Sequence, residues 1–252
     1  MSCIKKAIMI RSIEELSMNA WPSLQTHLYD GWILRVSNGY TKRANSVNLL
    51  YQSQINIEQK IDYCKKFYKN LDLPVIYKVT LDSDSLVIDE RLKELGYSKI
   101  DETSVRILDL TSYNHNLTSE ISLKLTQEWM DGYIRSCRIE DEINRETLQS
   151  MLKNIIGKTV FVTHKEGDKA VGFGYGVIDL GYVGIFDIHV EESLRGKGYG
   201  RAVMNTILSK SKELGAQRAY LQVVAGNTVA ENLYGNLGFK EIYRYWYRKL
   251  LD

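Results

Sequence analysis

The sequence predicts a two-domain α+β protein. Residues 160–164, 170–178 and 182–190 read as three successive strands. Tight turns join them, the first holding Gly167 and Asp168 and the second Gly181, which is the pattern of an antiparallel meander. After the meander, helix-like and strand-like segments alternate to the C-terminus, so the second half is neither all-α nor all-β. A polar, asparagine-rich run, D-L-T-S-Y-N-H-N-L-T at 109–118, separates this half from a first half of similar mixed character. The domains are accordingly placed at 1–112 and 117–252.

In the first half, Ser12 is a candidate N-cap for a helix at 13–19, with Glu15 at the capping-box position. Residues 32–36 and 45–51 read as strands. Ile57, Ile61, Cys64, Tyr68 and Leu71 recur at helical spacing over 57–71. Residues 75–79 form a short β-branched strand, 86–95 a helix ended by Gly96, and 103–110 a further strand. In the second half, helices are predicted at 127–135 and 146–156, before the meander. After it come a helix at 199–214 stopped by Gly215, a strand at 218–224, a helix at 228–237 and strands from Phe239 onward. L-K-E-L-G-Y at 92–97 echoes L-Y-G-N-L-G-F at 233–239, each before a strand, which suggests an internal duplication.

At 252 residues, 44% hydrophobic and 25% charged, the composition is that of an ordinary globular protein. No apolar run reaches membrane-spanning length, and the N-terminal stretch is too short and interrupted for a secretory signal. Cys3, Cys64 and Cys137 are far apart and show no metal-ligand spacing, so a reducing, cytoplasmic setting without a bound metal is expected. A net charge of +2 gives no reason to expect a nucleic-acid partner.

The chemistry is concentrated at 184–200, G-I-F-D-I-H-V-E-E-S-L-R-G-K-G-Y-G. An apolar strand runs into a glycine-rich turn that opens directly into an amphipathic helix. Glycines let backbone N–H groups converge, the helix start adds partial positive charge, and Arg195, Lys197 and Arg201 add cations. This is an anion cradle suited to a pyrophosphate. The Walker pattern is absent, and the spacing R-G-x-G-x-G differs from the dinucleotide fingerprint. A second glycine run, 172–176, lies inside a strand with no helix after it and reads as room for close neighbours.

These residues resemble the GNAT superfamily of acyl-CoA-dependent N-acyltransferases. Residues 195–200 match its signature of Arg or Gln, two residues, Gly, one residue, then Gly or Ala. The run A-Y-L-Q-V-V-A-G-N-T-V-A-E-N-L-Y-G-N-L-G-F, 219–239, is similar to its second signature, in the expected order and spacing. The resemblance covers about 120–252 and implies a mixed, mostly antiparallel sheet flanked by helices. Residues 31–35 and 39–47 resemble tandem GNAT proteins, whose leading half looks like a degenerate copy. Its loop at 51–59 contains no glycine, so the first half is expected not to hold CoA and to act as structural support with one wall of the acceptor pocket.

The resemblance further implies acetyl-CoA as acyl donor. Gly196, Gly198, Tyr199 and Gly200, with the three cations, would hold its phosphates. Ile188 and Val190 would offer backbone hydrogen bonds to the pantetheine arm, and Asn227 would cap the next helix or touch the cofactor. A glutamate, Glu192, stands where the family often has proline. Tyr234 is the candidate acid for the leaving thiolate, the other reading being an interfacial tyrosine. Asp187 and His189, on one side of the strand by alternation, are candidate bases, with Glu191 beyond them; each also reads as a solvated polar group. The expected reaction is direct acetyl transfer to a primary amine of a small molecule or peptide, by a chain more monomeric than dimeric. The rival readings are a CoA-binding regulatory module without catalysis and an interaction scaffold. The aromatic residues Tyr243, Tyr245, Trp246 and Tyr247 lean structural, as do Trp129 and Tyr133.

Overall fold

The computed structural model describes residues 3–81 and 83–251. The chain forms two compact units. One runs through Ser104 and takes up the chain again from Tyr243; the other is Val105–Ile242.

The first unit contains α1 (Cys3–Ala20), β1 (Gln25–Tyr29), β2 (Trp32–Val36), β3 (Val47–Leu49), α2 (Ile57–Lys69), β4 (Ile76–Thr80) and α3 (Ser83–Glu94). It ends in the first part of β5 (Ser98–Asp109), which continues into the second unit. β1–β2 and β2–β3 pair antiparallel, and β3–β4 pair parallel across the connection through α2. Trp32, Leu34 and Val47 pack with Ile61, Cys64 and Tyr68 of α2 and Ile88 and Leu92 of α3.

Two expectations are corrected here. Ser12 is no cap, because α1 starts at Cys3 and passes through it. Ile10, Ile13, Leu16 and Ala20 are all buried, so the apolar stripe begins before residue 12, and Ser12 with Glu15 only imitates a capping box. Glu15 instead accepts a hydrogen bond from the Tyr51 hydroxyl at 2.8 Å. β1 was not foreseen; its first four residues are exposed, so it carries no buried alternation to read.

The second unit adds β6 (Glu120–Ser122), α4 (Gln127–Cys137), α5 (Glu142–Lys153), β7 (Lys158–Glu166), β8 (Lys169–Asp179), β9 (Tyr182–Val190), α6 (Tyr199–Glu213), β10 (Arg218–Val224), α7 (Thr228–Asn236) and the start of β11 (Lys240–Lys249). β6 through β9 form the antiparallel meander, and β9 pairs parallel with β10 across α6. Val203, Met204, Ile207 and Leu208 of α6 pack on one face of this sheet, against Val160, Val162, Val183, Ile185 and Leu221. α4 covers the other face, where Trp129 meets Phe161 edge-on at 4.9 Å and donates from Nε1 to the Val162 carbonyl at 3.0 Å. Tyr133 stacks on Trp129 at 5.0 Å, in keeping with a core role. α5 starts at Glu142, four residues before the expected 146, because Asp141 caps it by accepting from the Asn144 amide at 2.8 Å.

The residues from Tyr243 lie with the first unit, where β11 pairs antiparallel with β4, from Tyr245↔Thr80 to Lys249↔Ile76. The expected boundary at 112–117 lies inside the second unit, because β5 carries the chain across without a break. Tyr243 donates to Glu14 at 2.7 Å, Lys78 forms an ion pair with the same carboxylate, and its ammonium lies 3.9 Å over the Tyr245 ring. Asp89 accepts from Trp246 Nε1 and Arg248 Nε, both at 2.7 Å. The aromatic residues of β11 are thus buried structural groups. No helix among the described residues is long and apolar enough to cross a membrane.

Candidate functional site

Strand β9 supplies the first wall. Its pairing with β10 runs from Tyr182↔Arg218 to Ile185↔Leu221, after which β9 continues to Val190 and β10 to Val224. At that point the β8–β9 register shifts, between Phe173 and Tyr175, and Asp187 takes a left-handed φ of 52°. This is a β-bulge. The pairing of the two parallel strands ends at Ile185↔Leu221, short of the bulge, and β9 continues through 188–190 into the turn.

The turn after β9 supplies the second wall. Gly196 (φ 82°) and Gly198 (φ 87°) are left-handed, and Gly198 is the N-cap of α6. A Cβ on either would meet open space among the described residues. The turn therefore leaves the first-turn amides of α6 uncovered, and those amides have no acceptor within the helix. Arg195 donates from Nε to the Val190 carbonyl at 3.2 Å, which ties the cradle to the strand end. The third wall is α7. Asn227 caps it, its Oδ1 accepting from the Ala230 amide at 3.2 Å, as the sequence proposed.

The cleft between these walls has a volume of about 420 Å³. It brings together Ile188, His189, Val190, Arg195, Gly196, Gly198, Tyr199, Gly200, Arg201, Asn227 and Tyr234, all from the expected set. Two candidates lie elsewhere. Lys197 lies 3.9 Å from Glu166, and Asp187 is not among the residues lining the cleft; its charge adds to the burial that raises the Cys137 thiol of α4. Glu191 is held by Lys169 at 2.9 Å, which keeps its carboxyl below the usual range and engages it outside the cleft. Leu194, Val229, Ala230 and Leu233 also line the cleft. Ala230 and Leu233 were not foreseen; they share a helix face with Asn227 and Tyr234, and that spacing is the signal that could have found them.

Tyr234 and His189 both face this space. Burial pushes the Tyr234 hydroxyl up to about 12, so it holds its proton throughout the neutral range. Burial also lowers the His189 imidazole below its ordinary value. His189 Nε2 lies 3.0 Å from the Ser136 carbonyl, and since a carbonyl only accepts, Nε2 carries the proton and Nδ1 is the basic nitrogen. The residues fit a pyrophosphate-bearing thioester. A glycine turn gives phosphate oxygens room, Arg195 and Arg201 supply charge, and a cleft connects that end to a neutral imidazole and a protonated phenol.

The comparisons with known proteins agree with this geometry. A family model described as "Probable histone acetyltransferase Rv0428c C-terminal" matches residues 8–248. The chain is 32% identical over 249 residues to the uncharacterized N-acetyltransferase YobR of Bacillus subtilis (strain 168), covering 95% of this chain and 98% of that protein. Among solved structures, a GCN5-related N-acetyltransferase from Kribbella flavida aligns with a TM-score of 0.69 at 11% identity, over 95% of this chain and 94% of that one. A tandem GNAT protein from the clavulanic acid biosynthesis pathway aligns at 0.64 and 11% identity, over 95% and 88%.

Proposed function

Because this chain belongs to the Rv0428c acetyltransferase C-terminal family, and is a GNAT N-acetyltransferase, we propose that it moves an acetyl group from acetyl-CoA to a primary amine by direct transfer. When bound, acetyl-CoA supplies an acyl thioester, a carbonyl activated by a good leaving group. The observation that carries the proposal is that one cleft holds an anion cradle at one end and the His189–Tyr234 set within it.

The chain's own residues divide the work. Gly196, Gly198 and the start of α6 bind phosphate, with Arg195 and Arg201. The backbone at 188–190 orients the acyl arm and polarises the carbonyl. Nδ1 of His189 accepts the proton that the amine must lose as the C–N bond forms. Tyr234 donates its proton to sulfur as the C–S bond breaks, so charge does not build up on the leaving thiolate.

Thiol release from acetyl-CoA, measured over a panel of primary amines including peptide N-termini, tests the proposal. Tyr234→Phe is expected to lower kcat by about 100-fold with the Kd for acetyl-CoA unchanged. Acetyl-CoA binding without thiol release from any amine would instead favour a CoA-binding regulatory module. The pH profile gives an independent check. A neutral His189 is the active form, and its lowered pKa keeps it neutral at pH 7. The acid limb of the rate should therefore lie at lower pH than an ordinary imidazole would place it, and His189→Gln should remove that limb while leaving acetyl-CoA affinity intact. A limb that persists in His189→Gln assigns the base elsewhere.

A further inference from the structure

The first unit repeats the connectivity of the cleft-bearing unit. In each, an antiparallel pair (β2–β3, β8–β9) is followed by a helix and a strand that returns parallel (β4, β10). In each, the next helix closes on a left-handed glycine, Gly96 at φ 86° and Gly238 at φ 94°. The hydrogen bonds match, Tyr97 N to Leu92 O and Phe239 N to Tyr234 O, both at 3.0 Å. The duplication that the sequence echo suggests therefore has a structural counterpart. By that correspondence, the loop at 50–56 before α2 stands where the phosphate turn stands before α6.

What differs is what meets that loop. The β1–β2 turn presses into it. A Cβ on Gly31 would lie 2.4 Å from the Gln52 carbonyl oxygen and 2.7 Å from that of Tyr51. Asp30, the neighbouring turn residue, points its carboxylate at the loop just before α2. It accepts from the Gln54 amide at 3.0 Å and the Ile55 amide at 2.8 Å. Lys60, on the first full turn of α2 and fully buried, completes the arrangement, with Nζ 3.0 Å from Asp30 Oδ2 and further bonds to the Asp30 carbonyl and the Ser53 hydroxyl. Loop amides just before a helix, with a cation beside them, are the equipment that the second unit also offers through Gly196, Gly198 and its arginines, although there the arginines are exposed and Lys60 is buried. In the second unit the corresponding hairpin carboxylate, Glu166 at the end of β7, pairs with the side chains of Lys197 and Tyr199 and leaves the turn itself open.

We infer that Asp30 stands in for a phosphate: the first unit's copy of the cradle is filled by the chain's own carboxylate, and this residue limits the protein to one CoA-type ligand per chain. The inference rests on the second unit's cradle being the phosphate site. It gives a physical account of a half that keeps the strand–loop–helix geometry without its ligand. A bound phosphate would have to displace a carboxylate already paired with a buried ammonium and two amides, and one anion would repel the other.

The test vacates the position. Asp30 has a left-handed φ of 43°, so glycine preserves the turn while removing the carboxylate. Asp30→Gly leaves Lys60 buried without its counter-charge, which a small anion can replace. In a Gly198→Trp background, which closes the second cradle, inorganic pyrophosphate is expected to raise the thermal midpoint of Asp30→Gly by several degrees. It should leave Gly198→Trp alone and Asp30→Asn/Gly198→Trp unmoved, since asparagine still fills the space. A variant that folds only with pyrophosphate gives the same answer. An Asp30→Gly variant indifferent to pyrophosphate, folded or unfolded, overturns the inference, as does wild-type protein that binds two CoA per chain. Because the probe is scored without the second cradle, failure of the acetyl-CoA reading appears separately, as wild-type protein that binds no CoA.

Discussion

Replacing Gly198 with tryptophan is expected to weaken acetyl-CoA binding by more than about 100-fold, since two charge-assisted hydrogen bonds at 1.5–3 kcal/mol each correspond to at least that factor. Two effects add. A residue with a Cβ at φ 87° strains the turn by about 1–2 kcal/mol, which shifts the amides it presents. The indole also adds bulk at the cleft, since Gly198 is itself one of its lining residues. The fold should survive, since the position faces open space and no core side chain must move. Calorimetric titration of acetyl-CoA and CoA into wild type and variant reads the result directly. Equal affinities in the two proteins would move the phosphate site away from this turn and remove the basis for assigning Tyr234 and His189 to acetyl transfer.

The largest stability effect is expected far from that cleft. Glu14→Ala leaves the Lys78 ammonium, 3% exposed, without its carboxylate and removes one bond of the Tyr243 hydroxyl. Breaking one side of a buried ion pair costs about 3–5 kcal/mol, and for a chain of this size that lowers Tm by on the order of 10 °C. The Tyr245 ring, 3.9 Å from the ammonium, recovers only part of the loss, because a cation–π contact is worth about 2 kcal/mol when desolvated. The double variant Glu14→Leu/Lys78→Met should be more stable than Glu14→Ala, since it removes both charges. Thermal melts of the three proteins decide it. A Glu14→Ala variant within about 1 kcal/mol of wild type would mean that water reaches Lys78.

Much of the site was legible because its chemistry is carried by backbone. Gly196 and Gly198 are needed for φ values that other residues resist, so the turn is written in the residue types themselves. Asn227 was legible for the same reason, as a cap whose side chain substitutes for a missing carbonyl. What escaped depends on contacts between distant segments. The bulge at Asp187 is set by register against β8, and an aspartate is no signal for it. Lys197 points to Glu166 rather than the cleft, a choice made by a residue 31 positions away. Edge strand β1 has no buried face to give it a period. The burial of Lys78 was illegible too, because all five residues of β4 are covered and a lysine there is tolerated only by a partner 64 positions earlier in the chain.

The return of β11 to β4 also sets an order of assembly. Thr80 and Tyr245 are about 165 residues apart in the chain. At a synthesis rate of roughly 5–20 residues per second, β4 leaves the ribosome some ten to thirty seconds before the strand that pairs with it. Before that interval ends the second unit's meander, whose neighbours are close in sequence, has been made in full, while the half made first still lacks a strand. The leading half of this protein is therefore the last to finish folding, and its exposed β4 is the surface that a chaperone would meet on the nascent chain.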